Sequence, residues 1–169
     1  MTPSNQRPAW DDYFMSIAKI VATRGTCDRL QVGAVLIKNN RIVATGYNGA
    51  PPGMAHCDGP AGHLMEDNHC IRTVHAEANC VLQAAVTGGT STLGTTLYTT
   101  HSPCYTCYKA LATAGVKRIV AGAQYQSPAV VAALKESGIE FLAYQPSREW
   151  SERLAQAFTA PLEDYVSKA

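Results

Sequence analysis

The sequence predicts an α/β fold in which helices cover both faces of a five-stranded mixed sheet. Two patterns indicate this fold: a pair of apolar segments joined by a tight turn comes early in the chain, and helix-like and strand-like segments alternate after it. The chain has 169 residues, 46% of them hydrophobic and 16% charged, which suits one domain with a sizeable core. We therefore expect a single three-layer α/β/α sandwich over residues 1–169, with its core at about 10–145 and a C-terminal tail at 146–169.

The first part of the chain is expected to form a helix, a hairpin and a long loop. Apolar residues recur at helical spacing over about 10–25. Branched apolar residues predict strands at 32–38 and 41–45, and Asn39-Asn40 between them is typical of a tight turn. The segment 46–68 is rich in Gly, Pro, His and Cys, and a loop of this length in a compact domain is usually functional or tied down.

The remainder of the chain alternates between helices and strands. Gly88-Gly89 marks the end of the first of these helices, because glycine readily takes the left-handed conformation that closes a helix. The tail beyond Pro146 is predicted to be partly helical. The expected order is helix 74–86, strand 95–100, helix 104–114, strand 116–121, helix 128–137 and strand 139–144.

Charge, hydropathy and cysteine content exclude several classes of function. The net charge of +1 gives no electrostatic reason to expect a nucleic-acid polymer as partner. No apolar stretch is long enough to span a membrane, and the polar start at 1–10 does not resemble a signal peptide. We therefore expect a cytoplasmic protein, in which six cysteines favour metal or thiol chemistry over disulfides.

Two short motifs, His75-Ala76-Glu77 and Pro103-Cys104-Tyr105-Thr106-Cys107, predict a metal site. One imidazole and two thiolates can hold a catalytic Zn²⁺ whose fourth position stays open for water. Zinc lowers the pKa of that water, and Glu77 is close enough to move a proton without binding the metal. Both motifs open predicted helices, where the helix dipole helps keep the two Cys as thiolates. A C-x-x-C motif alone also occurs in redox and structural zinc sites, but the two motifs together are the known signature of zinc deaminases.

Around these motifs the chain resembles the deoxycytidylate (dCMP) deaminase family of the cytidine deaminase superfamily. It is especially similar to the bacterial and phage type that includes the late competence operon deaminase. The resemblance covers about 10–144 and implies a cytidine deaminase-like fold and the conversion of dCMP to dUMP, the precursor for thymidylate synthesis. The segments that carry it are Gln31-Val32-Gly33-Ala34-Val35, Gly46-Tyr47-Asn48-Gly49, His69-Cys70-Ile71-Arg72-Thr73-Val74-His75-Ala76-Glu77, Pro103-Cys104-Tyr105-Thr106-Cys107, Ala114-Gly115-Val116-Lys117 and Tyr125.

The resemblance also implies roles for individual residues. In such enzymes a water activated by zinc attacks C4 of cytosine, while Glu77 passes a proton to ring N3 and helps ammonia leave. Asn48 would hydrogen-bond the sugar and Tyr125 would pack near the pyrimidine, with backbone groups at Ala76 and Ser102 reading the base. The alternatives are that Asn48 is a turn residue and that Tyr125 is an ordinary core or interface aromatic.

The phosphate of such a substrate needs basic donors. Arg24 is a candidate, as are Arg29, Arg72 and Lys109, although each could instead be a solvated charge or an ion-pair partner. Family members can also borrow an Arg from a neighbouring subunit, just after the helix that carries the His ligand. The equivalent stretch here, Ala84-Ala85-Val86-Thr87, contains no Arg, which leaves the phosphorylation state of the substrate open.

The other cysteines point to a second, structural zinc site. Two of them match positions at which a zinc-bearing branch of the family carries Cys, and a His-Cys pair lies just upstream of the catalytic His. The predicted ligands are Cys27, Cys57, His69 and Cys70. Because adjacent residues can bind one metal only with a bent backbone, His56 or His63 is an alternative ligand. Four ligands would close the site and pin the long loop; otherwise these are buried apolar cysteines and unrelated histidines.

Regulation and assembly are implied by the resemblance alone. Many dCMP deaminases are hexamers, activated by dCTP with Mg²⁺ and inhibited by dTTP, and Gly46-Tyr47-Asn48-Gly49 lies near that effector site in relatives. We therefore expect a homo-oligomer, with a hexamer favoured. Two other functions stay open: the same chemistry on dCTP, a modified dCMP or another cytosine or purine nucleotide, and a non-catalytic zinc module in DNA uptake. Glu77 separates these two, because a structural module has no use for an unliganded carboxylate at that spacing.

Overall fold

The computed structural model describes residues 7–88, 91–123 and 127–160, which contain five helices and seven strands. The helices are α1 Trp10–Ala22, α2 Ala76–Thr87, α3 Tyr105–Thr113, α4 Pro128–Ser137 and α5 Arg148–Thr159. The strands are β1 Gly33–Lys38, β2 Arg41–Tyr47, β3 Met65–Glu66, β4 His69–Cys70, β5 Thr96–His101, β6 Arg118–Ala123 and β7 Glu140–Ala143.

Five of the strands form one mixed sheet in the order β2-β1-β5-β6-β7. β1 pairs antiparallel with both β2 and β5, whereas β6 pairs parallel with β5 and with β7. α3 connects β5 to β6 and α4 connects β6 to β7, because two parallel strands need a crossover connection between them. The predicted α/β fold with a five-stranded mixed sheet is therefore confirmed, and each predicted helix and strand lies within a few residues of its expected position.

Two hairpins differ in how well the sequence predicts them. The β1–β2 turn was expected, and Asn39 and Asn40 both take positive φ, 50° and 57°, which matches the twist of a two-residue hairpin. The loop predicted over 46–68 contains a second, unexpected hairpin, β3–β4, whose turn residues Asp67 and Asn68 also have positive φ. Strands of two residues are too short to produce an alternating pattern, so this hairpin was not predicted.

Two groups of buried apolar side chains cover the two faces of the sheet. On one face α1 buries Phe14, Met15 and Ala18 against the sheet. On the other face α2 and α3 pack on residues such as Leu97 and Ile119. This arrangement brings the N-termini of α2 and α3 to the same side of the sheet, and they carry the two metal-binding motifs.

Polar contacts tie α1 and α5 to the rest of the domain. The Arg118 guanidinium pairs with Asp11 at 2.8 Å, and the Tyr98 hydroxyl donates to the same carboxylate at 2.7 Å. The indole N–H of Trp150 on α5 donates to the Ser16 hydroxyl of α1 at 3.2 Å. The predicted helix in the C-terminal tail is thus present. No helix in the described ranges is long and apolar enough to cross a membrane.

Candidate active site

His75, Cys104 and Cys107 meet at the N-termini of α2 and α3. His75 is the N-cap residue of α2, and Cys104 is the N-cap residue of α3. The His75 Nδ1 atom lies 3.6 Å from Cys104 Sγ and 3.4 Å from Cys107 Sγ. Zinc–nitrogen and zinc–sulfur bonds of ordinary length at a tetrahedral angle give a nitrogen–sulfur separation of about 3.6 Å. The three side chains therefore fit three corners of a zinc coordination tetrahedron and leave the fourth corner for another ligand.

The thiol of Cys104, at the N-terminus of α3, has a strongly lowered pKa. Hydrogen bonds from the Cys107 thiol and from His75 lower the pKa of Cys104 to about 3, and the backbone N–H of Cys107 adds to this effect. The pKa of Cys107 is raised, because it shares a proton with Cys104 and is itself buried. A bound divalent cation would deprotonate both thiols. The site is thus suited to a cation and presents thiolate charge to it.

Glu77 lies in the first turn of α2, two residues after His75, and its side chain is 4% exposed. Burial raises the pKa of its carboxyl group above the usual range, because the charged form loses contact with water. A carboxyl group with a raised pKa holds a proton more readily, which suits it to carrying protons between a water and a substrate. This is the behaviour that the sequence motif predicts for Glu77.

Two contacts that sequence reasoning missed fix the start of α2 against β2. Gly46 lies so close to the helix that a Cβ at this position would be 2.3 Å from the Ala76 carbonyl oxygen. The Asn79 side chain donates to the Tyr47 carbonyl oxygen at 2.7 Å. In the sequence, only its position two residues after Glu77 indicates that Asn79 contributes to the active site. Together these contacts set the position of the helix turn that carries Glu77.

Asn48 and Gly49, the two residues after Tyr47, also make contacts that support the fold around the site. Gly49 exchanges both backbone hydrogen bonds with Val74, the residue before His75. The buried Asn48 side chain accepts from Val32 N–H and donates to the Leu30 carbonyl, each at 2.7 Å. Its φ is not positive, so Asn48 is not a left-handed turn residue. The segment Gly46–Gly49, expected to lie near an effector site, therefore supports the backbone around His75, and it leaves Asn48 at most one donor and one acceptor for a sugar.

A second group of metal-binding side chains lies in the long loop. Ligand atoms of Cys27, Cys57 and His63 all lie within 4.8 Å of one another. The Cys70 sulfur is 3.7 Å from Cys57 Sγ and 3.4 Å from His63 Nδ1. A tetrahedral zinc site has sulfur–sulfur edges of about 3.8 Å and nitrogen–sulfur edges of about 3.6 Å. Cys27, Cys57 and His63 therefore form a three-ligand group, and Cys70, which contacts two of them, is the candidate fourth ligand of a closed Cys₃His zinc site.

The histidine in this group differs from the first expectation. His69 is exposed on β4, whereas the neighbouring Cys70 is half-buried and contacts Cys57 and His63, because side chains alternate along a strand. His63, which was the alternative, takes that position, while His56 contacts the Thr26 hydroxyl at 3.2 Å. Burial raises the pKa of Cys57 to about 11. For Cys70 burial acts in the same direction, but hydrogen bonds from the Arg72 backbone and from His63 outweigh it and lower the pKa to about 6.

Two of the residues predicted to bind substrate lie close in sequence to ligands of the first site. Ala76 follows His75 directly and Ser102 precedes Cys104 by two residues, and both are buried. Arg24 is exposed just after the end of α1. Tyr125 lies outside the described residues. The other basic candidates have partners: Arg72 donates to the Ala55 carbonyl, Arg29 contacts the Met65 sulfur and Lys109 lies over the Tyr105 ring.

Comparison with known proteins connects this geometry to a family. The family described as "Cytidine and deoxycytidylate deaminase zinc-binding region" matches residues 8–123. The chain is 42% identical to ComE operon protein 2 of Bacillus subtilis (strain 168) over 122 residues. It is 40% identical to the deoxycytidylate deaminase of Mycobacterium phage D29 over 125 residues. Among solved structures it is similar to the dCMP deaminase of the cyanophage S-TIM5 in complex with dCMP and dUMP, with 30% identity and a TM-score of 0.71.

The extent of these matches differs. The match to the Bacillus subtilis protein covers 72% of this chain and 64% of that protein, slightly less than two thirds of its length. The match to the phage D29 enzyme covers 68% of this chain and 94% of that enzyme. The cyanophage structure is covered completely, against 83% of this chain. Both metal-binding motifs and all four residues of the second group lie inside the matched family region.

Proposed function

The chain belongs to the cytidine and deoxycytidylate deaminase family, and from this we propose that it is a zinc-dependent hydrolase that converts dCMP to dUMP and ammonia. One observation carries the proposal: a His and two Cys spaced for tetrahedral coordination, with the buried Glu77 carboxyl two residues from the His. A closed structural zinc site would need a fourth protein ligand, and Glu77 at this spacing is suited to proton transfer instead.

In the proposed reaction His75, Cys104 and Cys107 hold Zn²⁺, which when bound lowers the pKa of a coordinated water to near 7. Glu77 accepts a proton as the water oxygen adds to C4 of cytosine, and delivers it to ring N3. The Glu77 carboxylate then takes the proton of the new C4 hydroxyl group and passes it to the amino group, so that the C4–N bond breaks, ammonia leaves and a C4 carbonyl remains. Burial of Glu77 keeps bulk water from competing for these protons and supports its use as both acid and base.

The monophosphate is the preferred substrate in this proposal because relatives at 40% identity and the cyanophage structure bear the names of dCMP deaminases. Ala76 and Ser102 are buried, lie close in sequence to His75 and Cys104, and would offer backbone groups to the base. Arg24 is the proposed phosphate donor, because the three other basic candidates already have partners. The absence of Arg from 84–87 favours, as the second candidate, the same chemistry on dCTP or a modified dCMP.

A second, structural zinc bound by Cys27, Cys57, His63 and Cys70 is part of the proposal. Three observations support it: the grouping of Cys27, Cys57 and His63, the contacts of Cys70 with two of them, and the lowered pKa of the Cys70 thiol. Closing this site would join the end of α1 to the loop that runs into His75. Reduced cysteines are maintained in the cytoplasm, which is the proposed location.

We also propose a homo-oligomer, with a hexamer favoured, that responds to dCTP with Mg²⁺ and to dTTP. Exposed apolar side chains on the outer face of α2 and near it support an interface between copies: Leu82, Val86 and Leu93. Val86 is the most exposed of the three, at 77%. Effector binding near Gly46–Gly49 would act on the segment that supports His75.

The test is ammonia release by purified zinc-loaded protein from dCMP, dCTP, CMP, deoxycytidine and adenosine, each with and without dCTP–Mg²⁺ or dTTP. The proposal predicts that dCMP is turned over fastest. Turnover of dCTP or a nucleoside in preference to dCMP would keep the zinc chemistry and overturn the monophosphate assignment. No turnover of any of these compounds would overturn the proposed enzyme activity on them.

A further inference from the structure

The imidazole of His63 is held from both sides. Its Nδ1 atom faces the thiol group of the second site, 3.4 Å from Cys70 Sγ. Its Nε2 atom lies 2.7 Å from the Asp28 carboxylate. Asp28 immediately follows Cys27 in the chain, so a single turn of backbone supplies both a metal-binding thiol and the carboxylate that contacts the histidine.

The partners of the two ring nitrogens determine which nitrogen of His63 carries the proton. A neutral imidazole carries one N–H donor and one lone pair, and a carboxylate can only accept a hydrogen bond. With the proton on Nε2, where Asp28 accepts it, the lone pair is on Nδ1 and points at the thiols. Histidines that bind metals usually donate their other N–H to a carboxylate or carbonyl, which fixes the tautomer and makes the ligating nitrogen more basic.

We propose that Asp28 is the positioning residue of the second zinc site: it holds His63 in the Nε2–H tautomer and aims Nδ1 at the metal. This inference rests on the second site put forward under the proposed function. It assigns to Asp28 a role in metal affinity that is distinct from the roles of the four ligands.

The exposure of Asp28 separates an effect on metal affinity from an effect on folding stability. The Asp28 side chain is 65% exposed, and an exposed pair of this kind contributes little to folding stability on its own. The contact gains value only if the histidine is a ligand, because the carboxylate then acts on the charge and orientation of the donor atom. The inference therefore predicts an effect of Asp28 on zinc affinity that exceeds its effect on stability without metal.

The test uses full-length Asp28→Ala and Asp28→Asn, with Asp67→Asn as matched control, since Asp67 is an exposed carboxylate of the same loop and Asn tolerates its positive φ. Zinc affinity is measured by competition with a chromophoric chelator. His75→Ala removes a ligand of the first site, so the zinc that this variant still binds in the titration belongs to the second site. ¹⁵N correlation spectra of histidine-labelled protein report which ring nitrogen of His63 carries the proton.

We expect Asp28→Ala to weaken the second site by about 10- to 100-fold and to lose the single-tautomer signal of His63. Asp28→Asn keeps an acceptor oxygen, so it should retain the tautomer and lose less affinity; Asp67→Asn should stay within about twofold of the unmodified protein.

If the unmodified protein binds one zinc per chain, the second site fails and this inference fails with it. If it binds two and Asp28→Ala keeps both its affinity and the His63 tautomer, the inference about Asp28 alone is overturned. Retained zinc at the first site shows in each case that the variant is folded.

Discussion

Substituting Gly46 by Ala should damage the active site without changing any residue that contacts metal or substrate. The added Cβ would lie 2.3 Å from the Ala76 carbonyl oxygen and 2.5 Å from the Cys80 nitrogen, against 3.4 Å for an ordinary contact. Both neighbours are backbone atoms of α2 and cannot rotate away, so the helix start must move by about 1 Å. That turn carries Glu77 and begins at His75.

Two magnitudes follow from this displacement. Overpacking a well-packed contact costs about 1–3 kcal/mol of folding free energy. A misplacement of about 1 Å in a catalytic constellation can lower the rate by roughly 100-fold. We therefore expect Gly46→Ala to lower the free energy of unfolding in urea by about 1–3 kcal/mol and to lower kcat for ammonia release by a larger factor than this loss of stability alone would cause.

The matched control is Gly59→Ala in the long loop. A Cβ at Gly59 would have its nearest neighbour at 3.5 Å, and the backbone there does not have positive φ. Alanine at such a position leaves stability unchanged or raises it slightly, because it reduces the entropy of the unfolded chain. If Gly46→Ala were as stable and as active as Gly59→Ala, the argument that β2 and α2 require this close approach would be refuted.

Three further predictions concern metal and charge. Cys57→Ala should reduce the zinc content, measured by atomic emission after gel filtration, from two ions per chain to one, and an unchanged content would exclude Cys57 as a ligand. His75→Ala should remove the other ion and abolish turnover while leaving the second site loaded; retention of two ions would contradict the ligand assignment. The Arg118 hydrogen bond lowers the pKa of Asp11, so its stabilising effect is complete above the unfolded pKa of about 4 and is lost as the pH falls through the lower folded value. The difference in Tm between the unmodified protein and Asp11→Asn should therefore shrink between pH 6 and pH 3, and a constant difference would show that this carboxylate does not titrate as inferred.

Local signals in the sequence predicted most of the fold. The bounds of α4 were predicted correctly, because Pro128 at its start and Gly138 after its end are strong helix signals. The β1–β2 hairpin followed from two adjacent Asn residues that readily take positive φ. The order of strands in the sheet was not predicted, since it depends on contacts between distant segments and not on local pattern.

In the candidate site, too, features set by local sequence were predicted and features set by contacts between distant segments were not. His75, Cys104 and Cys107 were predicted as a group because their spacing within two motifs is a local feature, and the structure brings them together. The choice of His63 over His69 depends on the β3–β4 hairpin, which points Cys70 inward and leaves His69 exposed. The role of Gly46 depends on how closely a strand and a helix approach, which the glycine alone does not reveal.

The most direct test of the proposed chemistry is ammonia release from dCMP by the unmodified protein and by Glu77→Gln, both carrying measured zinc. Gln has nearly the same shape as Glu but cannot accept and return a proton, and general acid–base groups contribute about 10²- to 10⁴-fold in rate. Glu136→Gln on α4 is the matched control for the loss of one carboxylate. We predict that Glu77→Gln keeps its zinc and loses at least about 100-fold in kcat, while Glu136→Gln retains full activity. Normal turnover of dCMP by zinc-loaded Glu77→Gln would contradict the account of how this site works.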